Sequence, residues 1–103
     1  MTKDEKDHKR KLAEHGCVAC WRLHGCTTYE VELHHFRGGG WGKGDYKTLM
    51  PLCYQHHRGR FGVHGLGTKG FDAHFGDKTI YKERAFTQRD LLDDALRATG
   101  ETA

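Results

Sequence analysis

The chain lacks two residue types entirely and is poor in a third. It contains no serine and no asparagine, and Pro51 is its only proline. The absence of serine excludes a serine nucleophile. No apolar run approaches the roughly 20 residues that a membrane-spanning helix needs, so we expect no membrane partner. The polar first residues do not form a signal peptide, which predicts a cytoplasmic, reducing location where paired cysteines bind metal more often than they form disulfides.

The sequence is also poor in apolar residues. Hydrophobic side chains make up 36% of the 103 residues, charged ones reach 30%, and glycine alone occurs 14 times. This length predicts a single domain, residues 1–103, whose apolar core is thin. A domain of this kind usually needs a metal or disulfide to stabilise it. The four cysteines are therefore candidates for that role.

The first half of the chain predicts one helix and one hairpin. Residues 1–15 form a charged helix, and 16–26 form a tight turn. Alternating apolar and charged residues predict a strand over 27–36. After a glycine-rich loop over 37–45, residues 46–52 are expected to return as the second strand.

The second half predicts short helices. One passes through His56 and His57, and residues 69–75 give one or two helical turns. A longer helix between them is disfavoured, because each internal glycine costs about 1 kcal/mol relative to alanine. Residues 87–90 have the form of a capping box, which starts a C-terminal helix. Its predicted apolar face consists of Leu91, Leu92, Ala95 and Leu96.

Two short motifs have the spacing of metal ligands. Cys17 and Cys20 are separated by two residues, as are Cys53 and His56. Both members of each pair can therefore reach one tetrahedral zinc ion. The alternative is that the cysteines are buried and bind nothing. His24 and Cys26 are spare candidates, which we expect to be non-ligands. Four protein ligands leave no open position, so this zinc would be structural.

Histidines also occur in two adjacent pairs, His34-His35 and His56-His57, with His64 nearby. Neighbouring residues on a strand point to opposite faces, so His34 and His35 cannot do the same job. In one continuous helix, His57 and His64 would be about 10 Å apart along the axis, too far to share an ion easily. Gly59 and Gly62 can break the helix between them, and such a break can fold His64 back towards His57. These residues predict a second metal site with catalytic capacity.

A local basic patch accompanies the histidines, although the formal net charge is only +3. Such a patch is typical of phosphate binding, and an ordinary solvated surface is the alternative. The glycine loop lacks the lysine and hydroxyl ending of a nucleotide-binding P-loop. Its backbone can instead approach DNA closely. The predicted nucleic-acid contacts are Arg37, Trp41, Lys43, Arg58, Arg60 and Lys69, and Lys47 lies in the same basic stretch.

These motifs together resemble the HNH endonuclease superfamily. The order is Cys17-x-x-Cys20, then Val31-Glu32-Leu33-His34-His35, then Pro51-Leu52-Cys53-Tyr54-Gln55-His56-His57. With Gly38-Gly39-Gly40-Trp41-Gly42 and Val63-His64-Gly65-Leu66-Gly67, the run is similar to the phage-borne branch of recombination-enhancement, RecA-dependent nucleases. The resemblance covers about residues 16–76. It implies an α+β fold, a small zinc-stapled ββα-metal (HNH, His-Me finger) domain with flanking helices, over 1–15 and 77–103.

The resemblance also implies roles for the histidines. His35 falls at the position of the general base, whereas His34, His57 and His64 fall at those of catalytic metal ligands. The implied cofactors are a structural Zn²⁺ and one catalytic divalent ion, Mg²⁺, Mn²⁺, Ni²⁺ or Zn²⁺. DNA is the implied substrate, in the cytoplasm of a bacterial host, and a recombinase-coated DNA filament is a further candidate partner. RNA stays open, and the oligomeric state is not predicted.

One position departs from the family pattern. Thr48 occupies the place of the middle asparagine, which in the family braces the loop that holds the general base. Thr48 or Asp45 can accept a hydrogen bond in its stead. Two rival interpretations remain. A zinc-ribbon module that binds nucleic acid without catalysis would not need His34, His35 and His57, and a thiol redox protein would not need the surrounding histidines.

Overall fold

The computed structural model describes residues 2–36 and 46–100. It is a small α+β structure with helices around a two-stranded sheet. In chain order its elements are α1 (Lys3–His15), α2 (Val18–His24), β1 (Val31–His35), β2 (Leu49–Cys53), α3 (Tyr54–His57), α4 (Val63–Phe75), α5 (Lys78–Tyr81) and α6 (Gln88–Thr99). Single 3-10 turns occupy Tyr46–Thr48 and Lys82–Arg84. The predicted glycine loop over 37–45 lies outside the described residues.

The two strands form the predicted antiparallel hairpin. Val31 pairs with Cys53 and His35 pairs with Leu49. The first strand begins at Val31, later than the predicted start at residue 27, and the second begins at Leu49 instead of residue 46, because 46–48 form a 3-10 turn. Every residue of β2 is buried, because α1, α2 and α6 pack against it. The apolar core is therefore centred on β2, and its largest fully buried side chains include Phe71, Phe86 and Leu12.

The helices at the two ends of the chain confirm their predictions. Helix α1 ends at Gly16, as expected from the sequence. Helix α6 begins with the predicted capping box: the Thr87 backbone N–H donates to the Asp90 carboxylate at 2.9 Å, and the Asp90 N–H donates to the Thr87 hydroxyl at 3.5 Å. Leu91, Leu92 and Ala95 are buried, and Leu96 is partly buried. None of the helices in the described ranges is long and apolar enough to cross a membrane.

The prediction of a tight turn over 16–26 is wrong, because most of that segment is the helix α2. The Cys17 sulfur caps its first turn by accepting the Cys20 N–H at 3.4 Å. Gly25 ends the helix in the left-handed conformation, at φ 72°. Residues three apart lie on one face of a helix. The spacing of Cys17 and Cys20 therefore fits a helical turn as well as it fits a loop.

The expectation that glycines prevent a longer helix is confirmed in part. Helical residues extend from Val63 to Phe75, earlier than the predicted start at residue 69, but the backbone at Gly67 (φ 80° and ψ 163°) is not helical and breaks α4 into two short helices. Two of the other glycines serve close packing. A Cβ at Gly62 would lie 2.8 Å from backbone atoms of Gln55, His56 and His57, and one at Gly65 would collide with the Gly59 carbonyl oxygen. These glycines let the 58–62 turn fold tightly between α3 and α4.

Candidate metal centres

The first cluster joins Cys17, Cys20, Cys53 and His56. It is built where α2 meets the end of β2 and the start of α3. The His56 Nδ1 lies 3.6 Å from the Cys17 and Cys20 sulfurs and 3.2 Å from the Cys53 sulfur. The Cys20 and Cys53 sulfurs are 3.8 Å apart, far beyond a disulfide bond of about 2.05 Å. All four predicted ligands therefore meet at one point.

This geometry fits a tetrahedral zinc ion. With Zn–S near 2.3 Å and Zn–N near 2.0–2.1 Å, tetrahedral ligand atoms are about 3.5–3.8 Å apart. Burial raises the pKa of the Cys17 thiol to about 12, so a thiolate here needs a cation to compensate its charge. Burial also lowers the pKa of His56, which favours the neutral imidazole that binds metal. The cluster can hold a metal such as zinc.

The two spare candidates take no part in this cluster. Among the described residues, the ligand atoms that lie within 4.8 Å of one another come from the four predicted positions. Cys26 is an exposed free thiol, just after the end of α2. His24 is an exposed residue whose charge acts on His56 from nearby, without joining the group. Both are non-ligands in this geometry, as the sequence led us to expect.

The second cluster joins His34, His57 and His64. These residues come from β1, α3 and α4, and their candidate ligand atoms all lie within 4.8 Å of one another. The His57 and His64 Nε2 atoms are 3.1 Å apart. The His34 ring centroid lies 5.2 Å from that of His57 and 5.7 Å from that of His64. The turn between α3 and α4 thus brings His64 back beside His57, and the three imidazoles are close enough to share an ion.

Glu32 holds His57 in this arrangement and was missed in the sequence. The His57 Nδ1–H donates to the Glu32 carboxylate at 2.7 Å, and the Arg58 Nε–H donates to the same oxygen at 3.0 Å. The hydrogen bond from His57 is the main reason that the pKa of Glu32 is lowered. A carboxylate on one ring nitrogen is the usual support for a metal-binding histidine. Glu32 lies two residues before His34 on β1, so strand alternation could have indicated it.

Gln88 contacts His34 and was also missed. The Gln88 Oε1 lies 3.2 Å from the His34 Nε2. Gln88 belongs to the stretch 77–103, in which the sequence shows no functional motif. Only tertiary packing brings it to β1, so no local pattern could have indicated it. Burial lowers the pKa of His34 to about 4, which keeps its imidazole neutral and able to bind metal.

His35 is exposed and stands apart from the cluster of three histidines. Its Nδ1 lies 2.8 Å from the Thr48 hydroxyl. Of the two candidates for the role of the missing asparagine, Thr48 therefore contacts His35, whereas Asp45 lies outside the described residues. His34, His35 and His64 line one cavity of about 430 Å³. A substrate in that cavity would contact both the cluster and His35.

Three of the predicted nucleic-acid contacts are close in sequence to residues of the second cluster or of the cavity. Arg58 and Arg60 belong to the turn between α3 and α4, and Lys69 lies on α4; all three are exposed. The Arg58 guanidinium is engaged by Glu32, and that of Arg60 lies 5.7 Å from the centre of the Phe61 ring. The other predicted contacts, Arg37, Trp41 and Lys43, lie outside the described residues.

Fold and clusters define a class of protein: a small α+β chain with a Cys3His group that can hold a metal such as zinc, and a second group of three histidines beside a cavity. The family model described as "Recombination enhancement, RecA-dependent nuclease" matches residues 1–100. The chain belongs to this family. Its name indicates a nuclease that acts in recombination, with DNA as the substrate that such a nuclease implies. The match extends beyond the motif-bearing 16–76 and includes α1 and α6.

Proposed function

We propose that the protein is an HNH-type endonuclease of the ββα-metal class, which hydrolyses DNA phosphodiester bonds with a divalent ion bound by His34, His57 and His64. The observation that carries this proposal is the convergence of three imidazoles from β1, α3 and α4 next to the cavity that His35 also lines. A zinc ribbon that only binds nucleic acid has no use for the second cluster. The single domain over 1–103 is part of the same proposal.

His35 is the proposed general base. If its Nδ1–H donates to the Thr48 hydroxyl, the Nε2 lone pair is left to take a proton from a water molecule. Thr48 then has the bracing role that asparagine has elsewhere in the superfamily. His35 lies outside the metal-binding group, which leaves it free for proton transfer.

The three-histidine cluster supplies the metal ligands. A divalent ion bound there would stabilise the negative charge that develops on the phosphate and on the leaving oxygen. Three imidazoles suit Zn²⁺ or Ni²⁺ better than Mg²⁺ or Mn²⁺, although phosphate oxygens can complete a site for the harder ions. Glu32 fixes the ring of His57, so the Nε2 is kept for the ion.

DNA binding is proposed to be electrostatic and only weakly selective for sequence. Arg60 and Lys69 are exposed cations on the segments that follow His57 and His64. Cations at such places contact phosphates, which gives affinity without sequence selection. Arg37, Trp41 and Lys43 remain predicted contacts of the glycine loop. A recombinase-coated DNA filament is the proposed partner, which the family name suggests, and a bacterial cytoplasm is the proposed location.

The test is a cleavage assay with purified protein. Supercoiled and single-stranded DNA are incubated with wild type in Mg²⁺, Mn²⁺, Ni²⁺ or Zn²⁺, and with EDTA. We expect cleavage with at least one ion and none with EDTA or in His57→Ala. His24→Ala is the matched control, because His24 is exposed and outside both clusters, and it should cut like wild type. DNA binding without cleavage under every ion would favour the zinc-ribbon alternative and contradict the proposal.

A further inference from the structure

Gln88 is a buried amide next to a proposed metal ligand. It is the first residue of α6 and only 1% exposed. Its backbone N–H donates to the Asp72 carboxylate at 2.8 Å, and the capping box of Thr87 and Asp90 fixes the start of the helix around it. The side chain therefore occupies a defined place, and it lines the cavity together with His34 and Thr68.

The two ends of this amide have different partners. The Gln88 Nε2 lies 3.4 Å from the Thr68 carbonyl oxygen, and the Oε1 lies 3.2 Å from the His34 Nε2. A carbonyl oxygen only accepts hydrogen bonds, so the NH2 end must face Thr68. The Oε1 then faces His34, and it also only accepts. The hydrogen between these two atoms therefore belongs to the His34 Nε2.

This hydrogen decides which nitrogen of His34 has a free lone pair. A neutral imidazole has one N–H, so a ring protonated at Nε2 has its lone pair at Nδ1. We propose that Gln88 is a positioning residue: it fixes His34 as the Nε2–H tautomer and reserves the Nδ1 for the metal ion. The inference rests on the proposed function in one respect, the assignment of His34 as a metal ligand.

Two supports of different chemistry thus act on the second cluster. The charged Glu32 holds the His57 Nδ1–H, which leaves the lone pair of that ring at the Nε2, facing His64. The neutral Gln88 holds the His34 Nε2–H, which leaves the Nδ1. An amide whose NH2 end is held by a backbone carbonyl cannot turn over without losing that hydrogen bond. The start of α6 is therefore a component of the metal centre, although it contributes no ligand.

Nitrogen-15 NMR of the histidine rings tests the tautomer directly. Wild type is loaded with one equivalent of zinc for the Cys3His cluster, and the His34 signals are assigned with a His34→Gln variant. Long-range nitrogen–proton correlations distinguish the two tautomers. We expect His34 to carry its hydrogen on the Nε2. A wild-type ring protonated at the Nδ1 overturns the inference, and this result needs no Gln88 variant to fold.

Three variants separate positioning from other roles. Gln88→Met keeps the length and removes the acceptor, Gln88→Glu keeps an oxygen for His34, and Gln55→Met is the matched control on the exposed glutamine of α3. Affinity for a second equivalent of Zn²⁺ or Ni²⁺ should fall roughly 10- to 100-fold in Gln88→Met, the usual effect of losing such a support. It should stay within a few-fold of wild type in the other two. Melting curves identify any variant that fails to fold.

The outcomes distinguish this inference from the proposed function. If wild type and Gln88→Met both bind the second ion and cut DNA, and His34 has the same tautomer in both, only the inference fails. If Gln88→Met loses the ion while His34 keeps its tautomer, Gln88 acts as a ligand and positioning is wrong. If wild type takes no second ion and cuts nothing, the proposed function fails, and the NMR comparison of wild type with Gln88→Met still decides whether Gln88 sets the tautomer.

Discussion

Three histidines of the candidate site have different hydrogen-bond partners on their rings. His57 donates to Glu32, His34 faces the Gln88 amide, and His35 contacts the Thr48 hydroxyl. Because a neutral imidazole has one donor and one acceptor nitrogen, the partner determines which nitrogen is left for chemistry. Of these three partners, the sequence pattern indicated Thr48 alone. Strand alternation could also have indicated Glu32, but nothing local points to Gln88.

Thr48→Val should slow cleavage without loss of metal. The hydroxyl that orients His35 disappears, while the volume of the side chain is retained. One such hydrogen bond is worth about 1 kcal/mol, so we expect the rate to fall by up to about tenfold. Thr48→Ser restores a hydroxyl and should recover most of the rate. Single-turnover cleavage measures the rate, and metal analysis of the same samples measures the bound ions. A Val variant as fast as wild type would remove Thr48 from the proposed mechanism.

Glu32→Gln should weaken the second metal site specifically. The substitution removes the negative charge that faces the His57 Nδ1–H and Arg58, and it leaves only an amide oxygen to accept from them. Affinity for the second ion should fall roughly 10- to 100-fold, measured by calorimetric titration of zinc-loaded protein. Glu30→Gln is the control, since Glu30 is exposed and precedes β1. Equal affinities in the two variants would show that the negative charge of Glu32 does not support His57.

At the scale of elements, the sequence predicted the helices and strands that are marked by a local sequence pattern. The hairpin follows from alternation, and α6 follows from its capping box and apolar face. Helix α2 was missed because Cys17-x-x-Cys20 was interpreted as a turn, although Gly25 marks a helix end. Only the second part of α4, over 69–75, was predicted, because the glycines before it were counted only as poor helix formers. Their second property, close backbone approach, depends on tertiary contacts that no local pattern shows.

Gly62→Ala should disrupt the turn that brings His57 and His64 together. The new Cβ would lie 2.8 Å from one backbone atom each of Gln55, His56 and His57, closer than real Cβ contacts, so α3 and α4 must separate. We expect a loss of about 1–3 kcal/mol in the free energy of unfolding and weaker binding of the second ion. Denaturant titration and calorimetry measure these quantities.

Gly70→Ala is the matched control for that substitution. Its Cβ would meet only the Leu66 Cβ, at 3.3 Å, inside α4. Since alanine favours a helix more than glycine does, stability should change by less than about 1 kcal/mol. If the Gly62→Ala protein is as stable as Gly70→Ala and keeps the second site, the turn between α3 and α4 does not need a glycine at residue 62 for its packing.

At the scale of the whole molecule, the two clusters are joined through α3. His56 belongs to the Cys3His cluster, and His57, the next residue, belongs to the three-histidine cluster. The first cluster ties α2, the end of β2 and α3 together beside a small apolar core. Holding His56 therefore also fixes the place of His57. In this account a structural metal is a condition for the second site, as well as for folding.

Cys17→Ala should unfold the protein or make it aggregate. Binding of a structural zinc is coupled to folding in small domains, so removing a ligand removes folding free energy. Chelation of all metal should have the same effect on wild type. Circular dichroism melting measures both, and Cys26→Ala, at the exposed free thiol, should melt like wild type. An unchanged melting temperature after complete chelation would show that the Cys3His cluster does not stabilise the fold.

The central claim is that His34 is a metal ligand whereas His35 is the general base. Metal stoichiometry, measured together with plasmid nicking, tests it most directly. Because His35 lies outside the cluster, His35→Ala should keep two ions per chain and lose roughly 10²- to 10⁴-fold in rate, the usual worth of a positioned base. His34→Ala and His57→Ala should lose the second ion together with activity. If His35→Ala loses the ion while His34→Ala keeps ion and activity, the roles are reversed; if all three variants cut like wild type, the active site is elsewhere.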